Sequence, residues 1–220
     1  YLGNLKNLSD KLLINYKKYK LLKRSTKNRF IVSLISSHQN EEKLILEVIK
    51  NLKSKISNIF FIIVPRHSNR SKKIQNMLQS YRLNFKVRSK SEKINSSTNY
   101  YLADTIGEIG LFYKLSDVGI IGGSFIPHGG HNPIESSSFN CSIIVGPYMN
   151  NFQEINNLLV KKKAIIQVNN SILLENKIYE LYQKKNLREK MSKNLDSVVN
   201  SEKQKSSDIW IKLEKHISKI

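Results

Sequence analysis

Short apolar runs alternate with segments of helical period along this chain, and that alternation limits what it can fold into. Phe30-Ile31-Val32-Ser33-Leu34-Ile35 and Ile59-Phe60-Phe61-Ile62-Ile63-Val64 are nearly continuous in apolar residues, and Pro65 stops the second. Runs without polar alternation belong to strands covered on both faces. Shorter runs at 84–88, 118–121, 143–145 and 164–168 read the same way. Between them, apolar residues at 44, 45, 48, 49 and 52 predict a helix over 41–52. Further helices are predicted over 74–81, 107–115, 133–139 and 152–160, and from the last strand to residue 220. The polar stretch 89–99 is expected to be an exposed loop, and no internal repeat is visible. Strands alternating with helices predict an α/β fold, a Rossmann-like parallel sheet with helices on both faces.

The 220 residues suffice for one large domain. The expected division is a linker and first-helix region over 1–28, the sheet domain over 29–200, and a C-terminal helix over 201–220. Tyr1-Leu2-Gly3-Asn4 reads as the middle of a longer protein, with an upstream portion expected. No apolar run approaches the ~18 residues of a membrane span. The single Cys141 excludes an internal disulfide framework. Its place in the apolar run 141–145 predicts a buried, inert thiol.

The formal charge is +20, from 37 Lys and Arg against 17 Asp and Glu. Such a surface attracts nucleic acid, anionic lipid or phosphorylated substrates. The joint abundance of Lys, Asn and Ile also fits a coding bias toward AT-rich codons, and the two readings are compatible.

Ligands on open parallel sheets bind beyond the carboxyl ends of the strands. Three segments are predicted to converge there: Ser36-Ser37-His38, Pro65-Arg66-His67, and the loop from Gly122 to Glu135. Arg66 offers a fork of donors suited to phosphate, or else pairs with a nearby carboxylate. Gly122-Gly123 and Gly129-Gly130 either let a nucleotide approach the backbone or simply serve turns. Asn132 is a good N-cap, Pro133 suits a first helical turn, and the helix start favours an anion. Glu135 in that turn can accept bonds from both hydroxyls of a ribose, or can help cap the helix. Gly107 and Glu108 open another helix with the same two alternatives, and Asp104 and Thr105 are candidate caps there. His128 and His131 have H-x-x-H spacing. They lie in a glycine-bearing loop with no Cys or acidic cluster nearby in sequence, so no metal is expected. No Ser-His-Asp set and no Walker sequence occurs, which leaves binding groups without a self-sufficient catalytic set.

Taken together, these residues resemble the 3-deoxy-D-manno-octulosonic acid (Kdo) transferase family of lipopolysaccharide synthesis. The matching motifs are Gly3-Asn4-Leu5-Lys6, Ser36-Ser37-His38 with Glu41-Glu42, Pro65-Arg66-His67 with Arg70, and Gly107-Glu108. They continue through the Gly122–Glu135 loop to Gly146-Pro147 with Asn151-Phe152, in the family's order over roughly residues 1–160. The string Gly129-Gly130-His131-Asn132-Pro133-Ile134-Glu135 is the most specific of them.

The resemblance implies the carboxyl-terminal domain of a two-domain GT-B glycosyltransferase, binding the donor CMP-Kdo. It implies that Pro65, Arg66, Ile106, Gly107, Glu108, Asn132, Pro133, Ile134 and Glu135 contact CMP. Ser37, His67, Gly123, Ser124 and His131 are additional candidates. It places the catalytic base outside this chain, so no residue here is assigned that role. No cofactor is expected: CMP-Kdo is a substrate, and its single phosphate suits one Arg and a helix start without a metal. The implied partners are a lipid A precursor and the anionic surface of the inner membrane at its cytoplasmic face, with no nucleic acid. The C-terminal helix would pack back toward the other domain. Two departures stand out: His128 where the family usually has Arg, and Ser37 where it often has Thr. The rival expectations are a GT-B enzyme using a UDP-sugar, and a non-catalytic basic module binding lipid or nucleic acid.

Overall fold

The structure, a computed structural model, describes residues 12–217. The motif Gly3-Asn4-Leu5-Lys6 therefore lies outside the described residues. The chain runs α1 (Tyr16–Ser25), β1 (Phe30–Ser37), α2 (Glu41–Leu52), β2 (Ile59–Pro65), α3 (Ser71–Ser80), β3 (Phe85–Val87) and β4 (Tyr100–Leu102). It continues through α4 (Ile109–Leu115), β5 (Val118–Ile121), β6 (Ser142–Val145), α5 (Gln153–Lys161), β7 (Ile165–Gln167), α6 (Ser171–Gln183) and α7 (Lys185–Ile217).

The seven strands form one sheet in the order β3-β4-β2-β1-β5-β6-β7, and every pairing is parallel. Side chains alternate across the pleat, which explains why the central strands are apolar throughout. Val32, Leu34, Phe61, Ile63 and Ile120 face a core closed by α2, α3 and α6. Ile31, Ile35, Phe60, Ile62 and Ile121 face a second core closed by α1, α4, α5 and part of α7. Phe60 and Phe61 are both fully buried, one on each side. Truncating either to Ala would cost about 3–5 kcal/mol.

β1 is the pivot of the sheet. The chain leaves it toward β2 on one side and returns beside it as β5 on the other. A crevice therefore opens at the carboxyl ends of β1 and β5, where ligands of such sheets bind. The end of β1 is bulged: its register to β2 shifts between Ile35 and Ser37, and Ser36 takes φ 59°. A bulge beside a site re-aims the residues that follow, here Ser37 and His38.

The predicted elements match the observed ones with four differences. β4, with its short Tyr100-Tyr101-Leu102 run, was not expected and inserts between β2 and β3. The helix expected from Gly107 begins at Ile109, because Gly107 sits in the left-handed region at φ 78°. The helix expected over 133–139 is a single 3-10 turn, Pro133–Ser136. Ser138 and Asn140 take φ 70° and 52°, and the Ser136 hydroxyl bonds back to the Pro133 carbonyl, so the serine run turns instead of propagating. The last helical stretch is two helices broken at Lys184, and α7 continues without interruption past residue 200.

Candidate functional site

Two carboxylates in the first turn of α2 hold the floor of the crevice. Glu41 is fully buried. It accepts the backbone N–H groups of Gly123 at 2.8 Å, Phe125 at 3.1 Å and His38 at 3.3 Å. Burial pushes its carboxyl up against the pull of those three bonds. Glu42 accepts the Ser37 hydroxyl at 2.8 Å and both Arg70 guanidinium nitrogens, Nη2 at 3.1 Å. One helix turn thus ties the ends of β1 and β5 and the segment after β2 into one frame.

Gly122 and Gly123 are demanded by this frame. A Cβ on Gly122 would lie 2.1 Å from the Ser36 carbonyl oxygen, so β5 can meet the bulge only with no side chain there. At Gly123, with φ 69°, a Cβ would meet His128 at 3.1 Å and His38 at 3.4 Å. The sequence reading offered turns or nucleotide approach as the role of these glycines. Both lie in the turn that leaves β5, and the space a side chain would need is filled by the chain's own backbone and imidazoles.

Above Gly123, three imidazoles converge from two strand ends. His38 follows β1, while His128 and His131 lie in the loop after β5. The Nε2 atoms of His38 and His131 are 2.7 Å apart, and their rings are stacked at 5.0 Å between centroids. The His128 ring stands 3.9 Å from that of His38. Burial, with the neighbouring imidazoles and Arg66 among the nearby cations, lowers both His38 and His131 to about 4. Both rings are therefore neutral at pH 7. The sequence reading weighed His128 and His131 alone; the third imidazole comes from a strand distant in sequence.

Arg66 and Glu135 border this cluster. Pro65 ends β2, and the Arg66 backbone N–H bonds to Ser37 at 3.1 Å, which directs Arg66 over the crevice edge. Its side chain is exposed and makes no ion pair or hydrogen bond among the described residues. Glu135 sits in the 3-10 turn that Asn132 caps, the Asn132 side chain accepting Ile134 N–H at 3.0 Å. The Glu135 carboxylate is half-buried and makes no hydrogen bond or ion pair among the described residues. Burial raises its pKa, and the Arg66 charge pulls the other way.

The remaining candidates divide. Ile106 is exposed, and Gly107 has open space where a Cβ would stand. Glu108, by contrast, is engaged. It accepts Arg88 Nε at 2.5 Å and Nη2 at 2.8 Å, Lys18 Nζ at 2.8 Å, and the Thr105 hydroxyl. Arg88 above all holds its carboxyl down at about 2. Glu108 forms part of a cleft of about 660 Å³ lined also by Leu21, Ile94 and Tyr101. The Ser37 hydroxyl is committed to Glu42, and Ser124 is buried, donating to the Ile121 carbonyl at 2.5 Å and accepting Gly146 N–H at 2.8 Å. His67 is exposed at the rim, 6.4 Å from His38 between ring centroids. Pro133 and Ile134 are buried beneath the turn. What the sequence reading lacked was the role of Glu41 and Glu42. Its one available signal was a pair of carboxylates opening a helix directly after a buried strand.

Residues 14–197 match the family described as glycosyl transferases group 1. The 3-deoxy-D-manno-octulosonic acid transferase of Rickettsia typhi is 35% identical over 185 residues, 84% of this chain and 40% of that protein. The enzyme of the same name from Haemophilus influenzae is 33% identical over 193 residues, 86% of this chain and 45% of its own length. The chain thus spans less than half of these relatives. Among solved structures, the C-terminal CMP-Kdo binding domain of WaaA from Acinetobacter baumannii is 30% identical with TM-score 0.78, covering 83% of this chain and 96% of that domain. Anabaena HepE in complex with UDP-glucose, at 11% identity and TM-score 0.60 over 90% of this chain and 53% of its own, shares the fold.

Proposed function

The chain belongs to the glycosyl transferases group 1 and, within them, to the Kdo transferases, and on that premise we propose that it is the donor-binding part of an enzyme moving Kdo from CMP-Kdo to a hydroxyl of a lipid A precursor. In that reaction the acceptor oxygen bonds to the anomeric carbon of Kdo, and the bond from that carbon to the phosphate oxygen breaks. CMP leaves with the electron pair, and the acceptor proton passes to a base outside this chain.

The phosphate gains negative charge as CMP departs, so a cationic donor at that oxygen lowers the barrier. Arg66 supplies it: an exposed guanidinium at a strand end, with no protein partner to compete. Glu135 takes the ribose hydroxyls. Gly107 leaves room for the nucleoside to approach the backbone. Glu108 acts indirectly under this reading, by holding Arg88 and Lys18 beside that approach.

The observation that carries the assignment is Glu135, a half-buried carboxylate without a protein donor beside an unpaired Arg66. Its oxygens are bonded to no protein donor and still reach solvent, so ligand hydroxyls can take them up. Calorimetric titration of CMP into the chain and into Glu135→Gln tests it. Weaker binding by a folded variant supports the role, and equal affinity removes Glu135 from the site.

The enzyme would work at the cytoplasmic face of the inner membrane. Among the described residues no helix is long and apolar enough to cross a membrane. The charge of +20 would hold this part of the protein against anionic lipid.

A further inference from the structure

We propose that His38, His128 and His131 form a binding site for a divalent transition-metal ion of the zinc class. This goes beyond the transfer reaction, and its test requires no sugar donor.

Three observations carry it. Each imidazole offers one ligand nitrogen, and the three nitrogens lie within 4.8 Å of one another. Nitrogens held at about 2.0–2.1 Å from one tetrahedral zinc ion stand roughly 3.3 Å apart. That separation falls between the 2.7 Å of the His38–His131 pair and the outer limit of the set. An ion at the centre would replace the His38–His131 hydrogen bond and open that pair to the ligand spacing.

The second observation is the support beneath the rings. Glu41 fixes the backbone of both His38 and Gly123. Gly123 leaves room directly under His38 and His128. The other end of the loop is held by Asn151, whose backbone N–H bonds to Gly129 at 3.0 Å and whose side chain bonds to the His128 carbonyl at 3.2 Å. Ligand-bearing backbone is therefore held from two sides.

The third is the ligand type. Imidazole favours zinc, copper and nickel over calcium or magnesium, which want oxygen. Three protein ligands, one of them on the exposed His128, leave a fourth position open toward the crevice. Open three-ligand sites are the kind that admit water or an anionic oxygen, whereas structural zinc sites are closed by four ligands. The two carboxylates beneath the cluster do not compete for the ion: Glu41 is spent on backbone N–H groups and Glu42 on Arg70 and Ser37.

The experiment uses the full chain, stripped with a chelator and titrated with Co²⁺ and then Zn²⁺. Expected are the visible absorption of tetrahedral cobalt, one equivalent of zinc at micromolar affinity or tighter, and displacement of cobalt by zinc. His128→Ala, at an exposed position, should weaken zinc by more than the roughly 10- to 100-fold that outer-shell changes cost. In the unaltered chain, zinc should perturb the ring NMR signals of three of the five histidines. That readout does not depend on any variant folding. Zinc that fails to bind, that binds His128→Ala equally well, or that perturbs a different set of rings overturns the proposal.

Discussion

The carboxylate of Glu41 accepts the backbone N–H of Gly123 across 82 residues of sequence, at 2.8 Å and fully buried. Through this bond the first turn of α2 sets the position of the loop after β5. Glu41→Ala would leave the N–H groups of Gly123, Phe125 and His38 buried without an acceptor. At about 1–3 kcal/mol for each buried donor, with some relief from water, the loss is expected to be about 3 kcal/mol or more. Urea denaturation measures it. A loss under 1 kcal/mol would mean that the loop is held by its other contacts.

Gly122 and Gly107 should respond differently to alanine. At Gly122 the new methyl would lie 2.1 Å from the Ser36 carbonyl oxygen, a backbone atom that cannot yield. Gly122→Ala should therefore unfold the chain or abolish soluble expression. Gly107→Ala meets open space and carries only the strain of a left-handed residue, about 1–2 kcal/mol. Comparable melting temperatures for the two variants would contradict the close packing of β5 against the β1 bulge.

Glu108 makes acid stability readable. Its carboxyl lies at about 2 in the fold against an ordinary 4.5, chiefly through Arg88. A depressed carboxylate contributes stability that is present above its ordinary value and is lost as pH falls toward the folded one. The denaturation midpoint of the native chain should fall between pH 4.5 and about 2 more steeply than that of Glu108→Gln. Parallel curves would show that the Arg88–Glu108 pair is too well solvated to matter.

The surface charge gives a fourth test. If the +20 balance serves a membrane, binding to phosphatidylglycerol-containing vesicles should fall as salt rises through physiological strength, where screening acts over about 8 Å. Binding indifferent to salt would assign the charge to codon bias.

Much of this molecule was legible in the sequence. The central strands declare themselves because both faces are buried, so Phe30–Ile35 and Ile59–Val64 carry no polar alternation. Arg66 and the Gly122–Glu135 loop stand out in the sequence because parallel sheets place ligands at strand ends, and the fold does bring them together there. What the sequence hid were long-range partnerships. Glu108 could be read as cap or ligand, yet Lys18 and Arg88 occupy it. Ser37 and Ser124 looked available, yet both hydroxyls are spent inside the frame. His128 and His131 looked like a pair too few for a metal, because the third imidazole arrives just after β1, some ninety residues earlier. The helix expected at Pro133 stops for a local reason: the Ser136 hydroxyl bonds back to the Pro133 carbonyl, and Ser138 turns into the left-handed region.

The measurement that bears most directly on the central claim is calorimetric titration of the chain with CMP, followed by competition with UDP. CMP should bind at one site, UDP should not displace it at equal concentration, and Glu135→Gln should weaken CMP about 10-fold or more, as loss of hydrogen bonds to a charged group does. UDP displacing CMP, or CMP binding Glu135→Gln as tightly as the native chain, would contradict it.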